Sequence, residues 1–422
     1  MQSKFYNDEE AMPAEERRRY YDEKVHWIVD YAYRNAPAMR RKLDEAAVRP
    51  SDIRSVADLE KVPVTTLEEI IESQKADPPF GGLIVGAPDT FVRLCMGMGT
   101  EIWPMSVSGT MHEMVAKTYY AAGVRKGDIM LNVIPYHPIY SGWVVDAGCQ
   151  RLGVTVIPAG WGDTDRTVEM LRRLRPTVYQ GIGNSLIALI RRAEELGYDV
   201  REESPLRLAI VGGEKLSTSV RASLEADYGI VVRETYAVGR GAMAYECGEG
   251  SWKHVPEQIV VEVVDPTTKR QLGPGEHGEP VVTYFDESYP LLRFATGDIT
   301  YYSDEPCPCG RTSRRLAGWL GRIGEAIKVK ERFMHPREIE GVIADIPQVS
   351  NFQVVVSQEE HKDVLTLNAE VSSREVDGSK LVELLRERIR AVSTLDVDNV
   401  NLVPRGTIRD GKKKVIDERV WD

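Results

Sequence analysis

Four side chains that can ligate a soft metal ion lie in two pairs along the chain. Cys247 and His254 precede a stretch rich in hairpin-forming glycine and proline, and Cys307 and Cys309 follow it, so antiparallel pairing of the intervening segments can bring the two pairs together. Thiolates and imidazole in a closed set of four suit tetrahedral Zn²⁺, and a closed set is structural rather than catalytic. Because the spacing is not that of a standard zinc finger, a Cys-Pro-Cys turn with unrelated buried thiols remains the alternative.

A glycine-rich loop at residues 97–104 follows a strand-like run that begins at Phe91. Glycines in such a loop allow backbone N–H groups to approach and bind an anion. The loop also contains Glu101 and Trp103, where a phosphate-binding loop would favour hydroxyl groups and a lysine. A carboxylate facing a triphosphate is repulsive. Taken alone, the pattern is also that of an ordinary tight turn.

Two further segments carry charged groups at places where they can act. Residues 293–298 set an arginine and an aspartate on either side of a glycine turn, and Lys412 opens a run of three lysines near the C terminus. Such a run is ordinarily a solvated tail. A lysine delivered to an acyl-phosphate centre, however, stabilises negative charge that develops on both the carboxylate and the phosphate.

The composition of the chain argues against several classes of protein. Its 422 residues include 65 acids and 54 bases, a net charge of −11, whereas nucleic acids and membrane surfaces favour proteins with clustered Lys and Arg. No apolar run reaches the roughly 18 residues of a spanning helix, and the N terminus lacks a secretory hydrophobic region. Five cysteines do not suggest a disulfide framework. We expect a cytoplasmic protein without nucleic-acid or membrane partners.

The order of the elements predicts an α/β fold. Between about residues 105 and 235, β-rich runs alternate with amphipathic helical stretches, which indicates βαβ units and a parallel sheet. After residue 255 the β-rich runs are separated by Gly and Pro, as in antiparallel hairpins. The strands are expected at 129–134, 154–157, 206–211 and 259–264, and the helices at 14–46, 165–175 and 184–197.

The last hundred or so residues have the pattern of a small α+β domain. Strands are expected at 351–357 and 364–371, followed by a helix at 378–391. We therefore expect a large N-terminal domain and a small, mobile C-terminal domain. The expected boundaries are 1–321 for the first, with an antiparallel β subdomain at about 236–320, and 322–422 for the second.

These motifs together resemble the phenylacetate–CoA ligase family of AMP-forming, adenylate-forming enzymes, and the resemblance runs nearly end to end. Gly213 and Glu214 stand where the family has residues that contact adenine, and Tyr236 stands where a tyrosine stacks on the nucleotide. Asp298 resembles the aspartate that binds both ribose hydroxyls, and Arg322 stands where a nucleotide-contacting arginine precedes the domain hinge. The metal-bearing branch of the family is matched by Cys247, His254, Cys307 and Cys309.

The same resemblance implies the roles of several other residues. Lys412 looks like the lysine that enters the site for adenylation. Tyr136 falls in the segment that lines the aryl pocket of the family, and His137 and Trp143 lie close to it in sequence. Each of the last two is also compatible with an ordinary core position.

Three elements depart from the family pattern. The phosphate loop of the family reads Ser-Ser-Gly-Thr-Thr-Gly-Lys-Pro, and only Gly99, Thr100 and Pro104 agree with it in register. A glutamate that supports Mg²⁺ follows the nucleotide-stacking tyrosine in the family, but this chain has Ala-Val-Gly and then Arg240. A guanidinium offers a bidentate fork to phosphate, so we expect Arg240 to take over a phosphate contact. The Asp-Asp pair of the family hinge is replaced by Gly-Glu.

The resemblance implies an enzyme that activates a carboxylic acid, expected to be aromatic, with ATP and transfers it from acyl-AMP to CoA. Its cofactors would be ATP, Mg²⁺, CoA and a structural Zn²⁺, its partners the acid and CoA, and a homodimer would suit the family. Lys412 and Arg240 would be the catalytic residues. The alternatives are an adenylating enzyme with another acceptor, an enzyme that moves acyl groups between carriers without ATP, and a non-catalytic homologue that binds nucleotide, CoA or an acyl ligand.

Overall fold

The computed structural model divides into two compact units, Met1–Gly321 and Arg322–Asp422. The residues that it describes are 3–97, 100–106, 109–137, 140–214, 216–238, 241–323, 327–330, 332–334, 336–359, 362–371, 377–393, 395–408 and 414–419. No helix among these residues has both the length and the apolar character needed to cross a membrane.

The helices of the first unit end where the local sequence predicts. The first two meet at Pro37, which occupies the first turn of the second helix, where its missing N–H is not needed. Left-handed glycines close two later helices at Gly123 and Gly153. The helices are α1 (Ala14–Asn35), α2 (Pro37–Glu45), α3 (Leu67–Ala76), α4 (Thr110–Ala122), α5 (Ser141–Leu152), α6 (Thr164–Leu174), α7 (Gly183–Glu195), α8 (Val200–Glu203) and α9 (Thr218–Ala226).

The strands of the first unit alternate with helices as far as α9 and then follow one another directly. They are β1 (Phe91–Met96), β2 (Ile102–Ser106), β3 (Ile129–Asn132), β4 (Thr155–Pro158), β5 (Val178–Gly181), β6 (Leu208–Gly212), β7 (Val231–Val238), β8 (Gly241–Gly248), β9 (Gly250–His254), β10 (Ile259–Val264), β11 (Glu279–Tyr284), β12 (Phe294–Ala295), β13 (Asp298–Ile299), β14 (Tyr302–Ser303) and β15 (Arg315–Leu316), and β16 (Gly321–Arg322) follows at the boundary of the units.

Among the described residues, the largest sheet has nine strands in the order β14-β15-β9-β8-β7-β6-β5-β3-β4. The strands from β4 to β7 pair in parallel, and those from β7 to β14 pair antiparallel. The antiparallel strands therefore extend the parallel sheet from its β7 edge. A separate antiparallel sheet contains β10, β11 and β12, and β1 and β2 form a hairpin.

Helices cover both faces of the parallel strands. Successive residues of each strand point to opposite sides of the sheet, so each strand contributes side chains to the core on either face. On one face, Met130 and Ile210 belong to a core that includes buried residues of α4 and α5. On the other face, Leu131 and Val211 belong to a core with α6, α7 and α9. Two-sided burial explains why these strands read as continuous apolar runs.

The second unit is a small α+β fold with its own core. Its described strands and helices are β17 (Ile327–Val329), β18 (Arg332–Met334), α10 (Pro336–Ala344), β19 (Val349–Glu359), β20 (Lys362–Val371), α11 (Gly378–Ser393), β21 (Asn399–Pro404) and β22 (Val415–Asp417). Their main sheet has the order β21-β20-β19-β22, with a long antiparallel pair at its centre. Leu381, Leu385 and Ile389 of α11 lie in the core with the buried residues of β19 and β20.

The α/β fold class expected from the sequence is confirmed. The prediction of a single helix at 14–46 is wrong, because the helix is interrupted between α1 and α2 at Ala36, whose backbone is extended. Residues that precede a proline are pushed towards this conformation. Strand β5 was not predicted from the sequence, because it is fully buried and too short to show a period.

Candidate functional site

Polar residues of the first unit gather where the parallel strands end. Asn132 ends β3, Asn184 follows β5 by a few residues, Glu214 follows β6, and Tyr236 lies near the end of β7. The carboxyl ends of parallel strands lie at the same edge of a sheet, which is where α/β folds bind ligands. The strand order also reverses between β3 and β5, and such a reversal opens a crevice at this edge.

The segment after β6 requires close approach of two backbones. A Cβ atom at Gly212 would lie 2.6 Å from Oγ1 and 2.8 Å from the carbonyl oxygen of Thr235 on the neighbouring strand. Gly213 then turns with a φ of 87°, a left-handed conformation that favours glycine. Beyond the turn, Glu214 accepts a hydrogen bond of 3.0 Å from the amide of Asn184. The two glycines thus position Glu214 above the sheet edge.

Tyr236 and Asp298 meet in the first unit although they are far apart in sequence. The hydroxyl of Tyr236 donates a hydrogen bond of 2.8 Å to Oδ2 of Asp298, and both side chains are buried. Two residues that the sequence analysis assigned to nucleotide binding are therefore placed together.

The turn before Asp298 is held by residues of the adjoining sheet. Gly297 donates its backbone N–H to the carboxylate of the buried Glu279 at 2.9 Å. Arg293, the arginine of the same motif, is only 1% exposed and is paired with the equally buried Glu262 at 3.0 Å. Its guanidinium also donates to the carbonyl oxygen of Val62 at 2.7 Å. The arginine of this motif therefore anchors the turn that precedes Asp298.

The glycine-rich loop joins the two strands of the β1–β2 hairpin. Thr100 has a φ of 72°, which is unusual for a β-branched residue, and its backbone N–H donates to the carbonyl oxygen of Gly97 at 3.2 Å. Trp103 is buried and packs edge-on against Tyr289 and Phe294. An apolar, structural side chain thus stands where the family has its loop lysine.

Glu101 turns its carboxylate back over the loop. Its side chain is 7% exposed, and a Cβ atom at Gly97 would overlap the carboxylate. Oε1 accepts a hydrogen bond of 3.1 Å from the indole N–H of Trp103. Oε2 is also buried and has no hydrogen-bond partner among the described residues. The carboxylate therefore retains unused capacity to accept.

The proposed acid pocket contains a hydrogen-bonded chain that begins with Asn132. The amide of Asn132 donates to the hydroxyl of Tyr136 at 2.8 Å, and this hydroxyl donates to Oδ1 of Asp146 at 2.7 Å. Burial raises the pKa of Asp146, and burial together with the bond to Asp146 raises the pKa of Tyr136. Tyr136 therefore stays protonated, and its hydroxyl hydrogen is already committed to Asp146.

Trp143 completes this group from the first turn of α5. Its ring meets Tyr136 edge-on at 4.9 Å, and its indole N–H donates to the carbonyl oxygen of Tyr136 at 3.0 Å. The guanidinium of Arg93, from β1, lies over the Trp143 ring at 4.1 Å from its centroid. His137 is exposed. The structure thus brings Tyr136 and Trp143 together and leaves His137 at the surface.

The four predicted metal ligands converge in the first unit. The ligand atoms of Cys247, His254, Cys307 and Cys309 all lie within 4.8 Å of one another. The sheet register explains this, because the hairpin of β8 and β9 carries Cys247 and His254, and β15, which follows the Cys-Pro-Cys turn, pairs with β9 at His254. Three of the four residues are buried.

The distances within this cluster suit a tetrahedral zinc ion. Sγ atoms of Cys247 and Cys307 lie 3.8 Å apart, and Sγ of Cys309 lies 3.4 Å from Nε2 of His254. Bonds of about 2.3 Å to sulfur place two thiolates about 3.8 Å apart around a tetrahedral ion. Nδ1 of His254 is 3.2 Å from the hydroxyl of Ser313, a contact that orients the ring as in many zinc sites. The hydrogen bond from Cys247, followed by the contact with His254, lowers the pKa of the Cys309 thiol.

Several predicted site residues cannot be placed beside the others. Gly99, Arg240 and Lys412 lie outside the described residues. Arg322 is the first residue of the second unit. The roles that the sequence analysis gave to these four residues stay predictions.

Asn132, Asp146 and Arg93 were not predicted as site residues from the sequence. Asp146 had a detectable signal, since it is the one acid in the otherwise apolar first half of α5, three residues after Trp143. Arg93 interrupts the apolar run of β1 and shares its partly buried face with Phe91 and Cys95.

Comparison with known proteins identifies relatives of this chain. A family model described as AMP-binding enzyme matches residues 104–283, and a second, described as AMP-binding enzyme C-terminal domain, matches residues 333–422. A phenylacetate–coenzyme A ligase of Thermus thermophilus is 31% identical over 407 residues, covering 90% of each chain. One from Escherichia coli is 27% identical over 435 residues, covering 98% of this chain and 96% of its own.

Solved structures agree with these relatives. The crystal structure of 2-hydroxyisobutyryl-CoA ligase, in complex with the acyl-adenylate of its substrate and CoA, matches with a TM-score of 0.90 at 25% identity, covering 99% of this chain and 93% of that one. With two family models matched in sequence order and a relative 31% identical over nine-tenths of its length, the chain belongs to the phenylacetate–CoA ligase family of AMP-forming, adenylate-forming enzymes.

Proposed function

We propose that this enzyme activates a carboxylic acid with ATP and transfers the acyl group to CoA. The observation that carries the proposal is the buried hydrogen bond between Tyr236 and Asp298. Tyr236 lies on the strand next to β6, whose end is followed by Glu214. A nucleoside needs an aromatic ring for stacking, a carboxylate for ribose binding and a glycine turn whose backbone can contact the base.

The proposed reaction has two half-reactions. In the first, a carboxylate oxygen of the acid attacks the α-phosphorus of ATP, the bond to pyrophosphate breaks, and acyl-AMP forms. In the second, the thiolate of CoA attacks the acyl carbon, the bond to the phosphate oxygen breaks, and AMP leaves. Asp298, paired with Tyr236, is proposed to hold the ribose in both half-reactions.

An aromatic acid is the proposed substrate class. The rings of Tyr136 and Trp143 offer edges and faces for a second ring. Asp146 adds a half-buried acceptor beside them, and Tyr136 donates to its Oδ1. A hydroxyl group on the acid suits this acceptor. Among the relatives, the names of the ligases refer to phenylacetate and to 2-hydroxyisobutyrate.

The proposed roles of the remaining residues follow from the sequence. The first unit is proposed to be the adenylate-forming domain, and the second a lid domain that begins at the nucleotide-contacting Arg322. Lys412 is proposed to stabilise the charge that develops during adenylation, and Arg240 to contact phosphate. Gly99 and Thr100 are the proposed remnants of the phosphate loop.

A structural zinc ion is proposed for the cluster of Cys247, His254, Cys307 and Cys309. The closed set of four ligands and their spacing support this proposal. The ion would join the β8–β9 hairpin to the turn before β15 and thereby stabilise the extended edge of the large sheet.

Pyrophosphate release from purified protein tests the proposed function. The panel would contain phenylacetate, 4-hydroxyphenylacetate, benzoate and 2-hydroxyisobutyrate, each with ATP and with or without CoA. Release that depends on the acid, with formation of the thioester only when CoA is present, is the expected result. Thioester formation from a supplied acyl-AMP, but no pyrophosphate from any acid, would replace the proposal with ATP-independent acyl transfer.

A further inference from the structure

Glu101 places a buried carboxylate in the loop that is proposed to bind the triphosphate. Its carboxylate lies over Gly97 inside the β1–β2 hairpin loop and is 7% exposed. No ion pair to this carboxylate is found among the described residues, and its one hydrogen-bond donor is the neutral indole of Trp103. A buried carboxylate without a cation is unstable as an anion. If a triphosphate binds at this loop, its negative charge repels the carboxylate and destabilises the anion further.

One solution would be that the carboxylate takes the place of a phosphate and is bound by loop N–H groups. Backbone contacts of the described loop residues argue against this. The N–H of Gly97 donates to the carbonyl oxygen of Glu101, and the N–H of Thr100 donates to the carbonyl oxygen of Gly97. Within the part of the loop that the structure describes, Oε2 of Glu101 remains buried and without a hydrogen-bond partner. A carboxylate that replaced a phosphate would use both oxygens to accept.

The other solution is a cation between the carboxylate and the phosphates. Hard divalent cations such as Mg²⁺ bind through one or two carboxylates together with the oxygens of substrate phosphates. Oε2, an orphaned buried oxygen of a carboxylate, has the chemistry of such a ligand. Residues 237–240, which follow Tyr236, contain no carboxylate that can serve instead.

We propose that Glu101 is a ligand of the divalent cation that accompanies the triphosphate of the nucleotide. The inference rests on the proposed use of ATP. The sequence of the altered loop suggests a loss of phosphate binding. The inference assigns to the same loop a ligand of the metal. The indole N–H of Trp103 orients the carboxylate through Oε1 and leaves Oε2 for the cation.

The test measures metal binding directly on the full chain. Mn²⁺ replaces Mg²⁺, and the nonhydrolysable α,β-methylene-ATP replaces ATP, so that free Mn²⁺ is read from its EPR signal without turnover. We expect E101Q to raise the dissociation constant of Mn²⁺ in the ternary complex by at least about tenfold, as loss of a metal contact does. E101D keeps a carboxylate and is expected to recover part of the affinity.

Two results would overturn the inference, and they are distinguishable. If E101Q binds Mn²⁺ and the ATP analogue as tightly as the unchanged protein, or more tightly, Glu101 is repulsive or neutral and the use of ATP stands. If the unchanged protein binds no Mn²⁺ with the analogue, the proposed use of ATP fails together with the metal site. Circular dichroism and thermal unfolding confirm that each variant is folded, and E276Q, an exposed glutamate elsewhere in the unit, serves as a charge-matched control.

Discussion

The hydroxyl of Tyr236 and Oδ2 of Asp298 lie 2.8 Å apart in a buried hydrogen bond that joins two residues 62 positions apart. Tyr236 belongs to the central sheet, and Asp298 begins the short strand β13 after the turn anchored by Arg293 and Glu279. The bond fixes the ring and the carboxylate relative to one another. At the proposed nucleotide site, the two groups are therefore already positioned before binding, which would lower the entropic cost of binding.

Replacing Asp298 by Asn should impair the first half-reaction. The amide keeps the size of the side chain but loses its charge and one acceptor, so binding of the ribose hydroxyls weakens. Loss of a charged hydrogen-bond acceptor costs about 1.5–3 kcal/mol, or roughly 10- to 150-fold in kcat/KM for ATP. Tyr236→Phe, which removes only a neutral donor, should cost about tenfold or less.

Acid-dependent pyrophosphate release at varied ATP concentration is the measurement for this pair. Asp304→Asn is the matched control, because Asp304 is half-exposed and pairs with Arg314. Equal kcat/KM for ATP in Asp298→Asn and in the unchanged enzyme would remove Asp298 from the nucleotide site.

Cys309→Ser should abolish metal binding by the Cys247–His254–Cys307–Cys309 cluster. A hydroxyl is a poor ligand for zinc compared with a thiolate, so the zinc content should fall from about one ion per chain to near zero. The midpoint of thermal unfolding should fall with it, because the proposed ion would join two segments of the chain. Metal content is measured by inductively coupled plasma mass spectrometry on protein purified without added metal.

Cys95→Ser is the control for this experiment. Cys95 is half-buried on β1 and is not part of the cluster, and burial raises the pKa of its thiol. Its replacement should leave the zinc content unchanged. If the unchanged protein contains no metal and unfolds at the same temperature as Cys309→Ser, the cluster consists of unmetallated thiols.

Glu257→Gln should destabilise the first unit strongly. Glu257 is fully buried and accepts a charged hydrogen bond of 2.7 Å from the equally buried Lys117, and Arg17 contacts it at 2.9 Å. Removal of one partner of a buried ion pair costs about 3–5 kcal/mol. Lys117 keeps its contact with Glu9 at 2.6 Å, so the loss is expected at the lower end of this range. Urea unfolding followed by tryptophan fluorescence measures the loss.

The same carboxylate predicts a pH dependence of stability. Burial works to raise the pKa of Glu257, but Lys117 and Arg17 outweigh it and lower the pKa. Its contribution is therefore present above the pKa of an unfolded glutamate, about 4.3, and is lost as the pH falls through the lower folded value. Glu257→Gln should reduce the fall in the free energy of unfolding at acidic pH. Glu69→Gln, which removes a half-exposed carboxylate paired with Lys42, should not.

Gly212→Ala should damage both stability and nucleotide binding. The added Cβ would lie 2.6 Å from Oγ1 and 2.8 Å from the carbonyl oxygen of Thr235, and a backbone carbonyl cannot move aside easily. Overpacking of this kind costs about 1–3 kcal/mol. Since the shift would displace Glu214, the dissociation constant of AMP, measured by calorimetry, should rise as well. Gly197 has open space around it but a φ of 76°, so Gly197→Ala destabilises the fold through backbone strain alone and should leave the dissociation constant of AMP unchanged.

Asp146→Asn should change the choice of acid rather than the use of ATP. The amide can still accept from Tyr136 at 2.7 Å, but it no longer carries the charge of the carboxylate. We expect kcat/KM to fall by about tenfold for 4-hydroxyphenylacetate, less for phenylacetate, and little for ATP. Parallel losses for both acids and for ATP would place Asp146 in a purely structural role.

Much of the fold could be predicted because it depends on local patterns. The apolar runs of β6 and β10, the helical periods of α6 and α7, and the Gly and Pro that separate the later strands all act over a few residues. The break at Ala36 was missed because the helical period continues across Pro37. The continuation of the sheet from β7 into β8 and β9 was missed because strand pairing depends on residues distant in sequence.

The sequence by itself determined the family, the metal-ligating residue types and the loss of the phosphate-loop lysine, because each depends on residue identity and spacing. Only the tertiary structure decided that Arg293 anchors a turn, that Tyr136 is committed to Asp146 and that Oε2 of Glu101 has no hydrogen-bond partner among the described residues. Such contacts depend on sheet register and side-chain packing, in which a shift of one residue reverses the face that each side chain occupies.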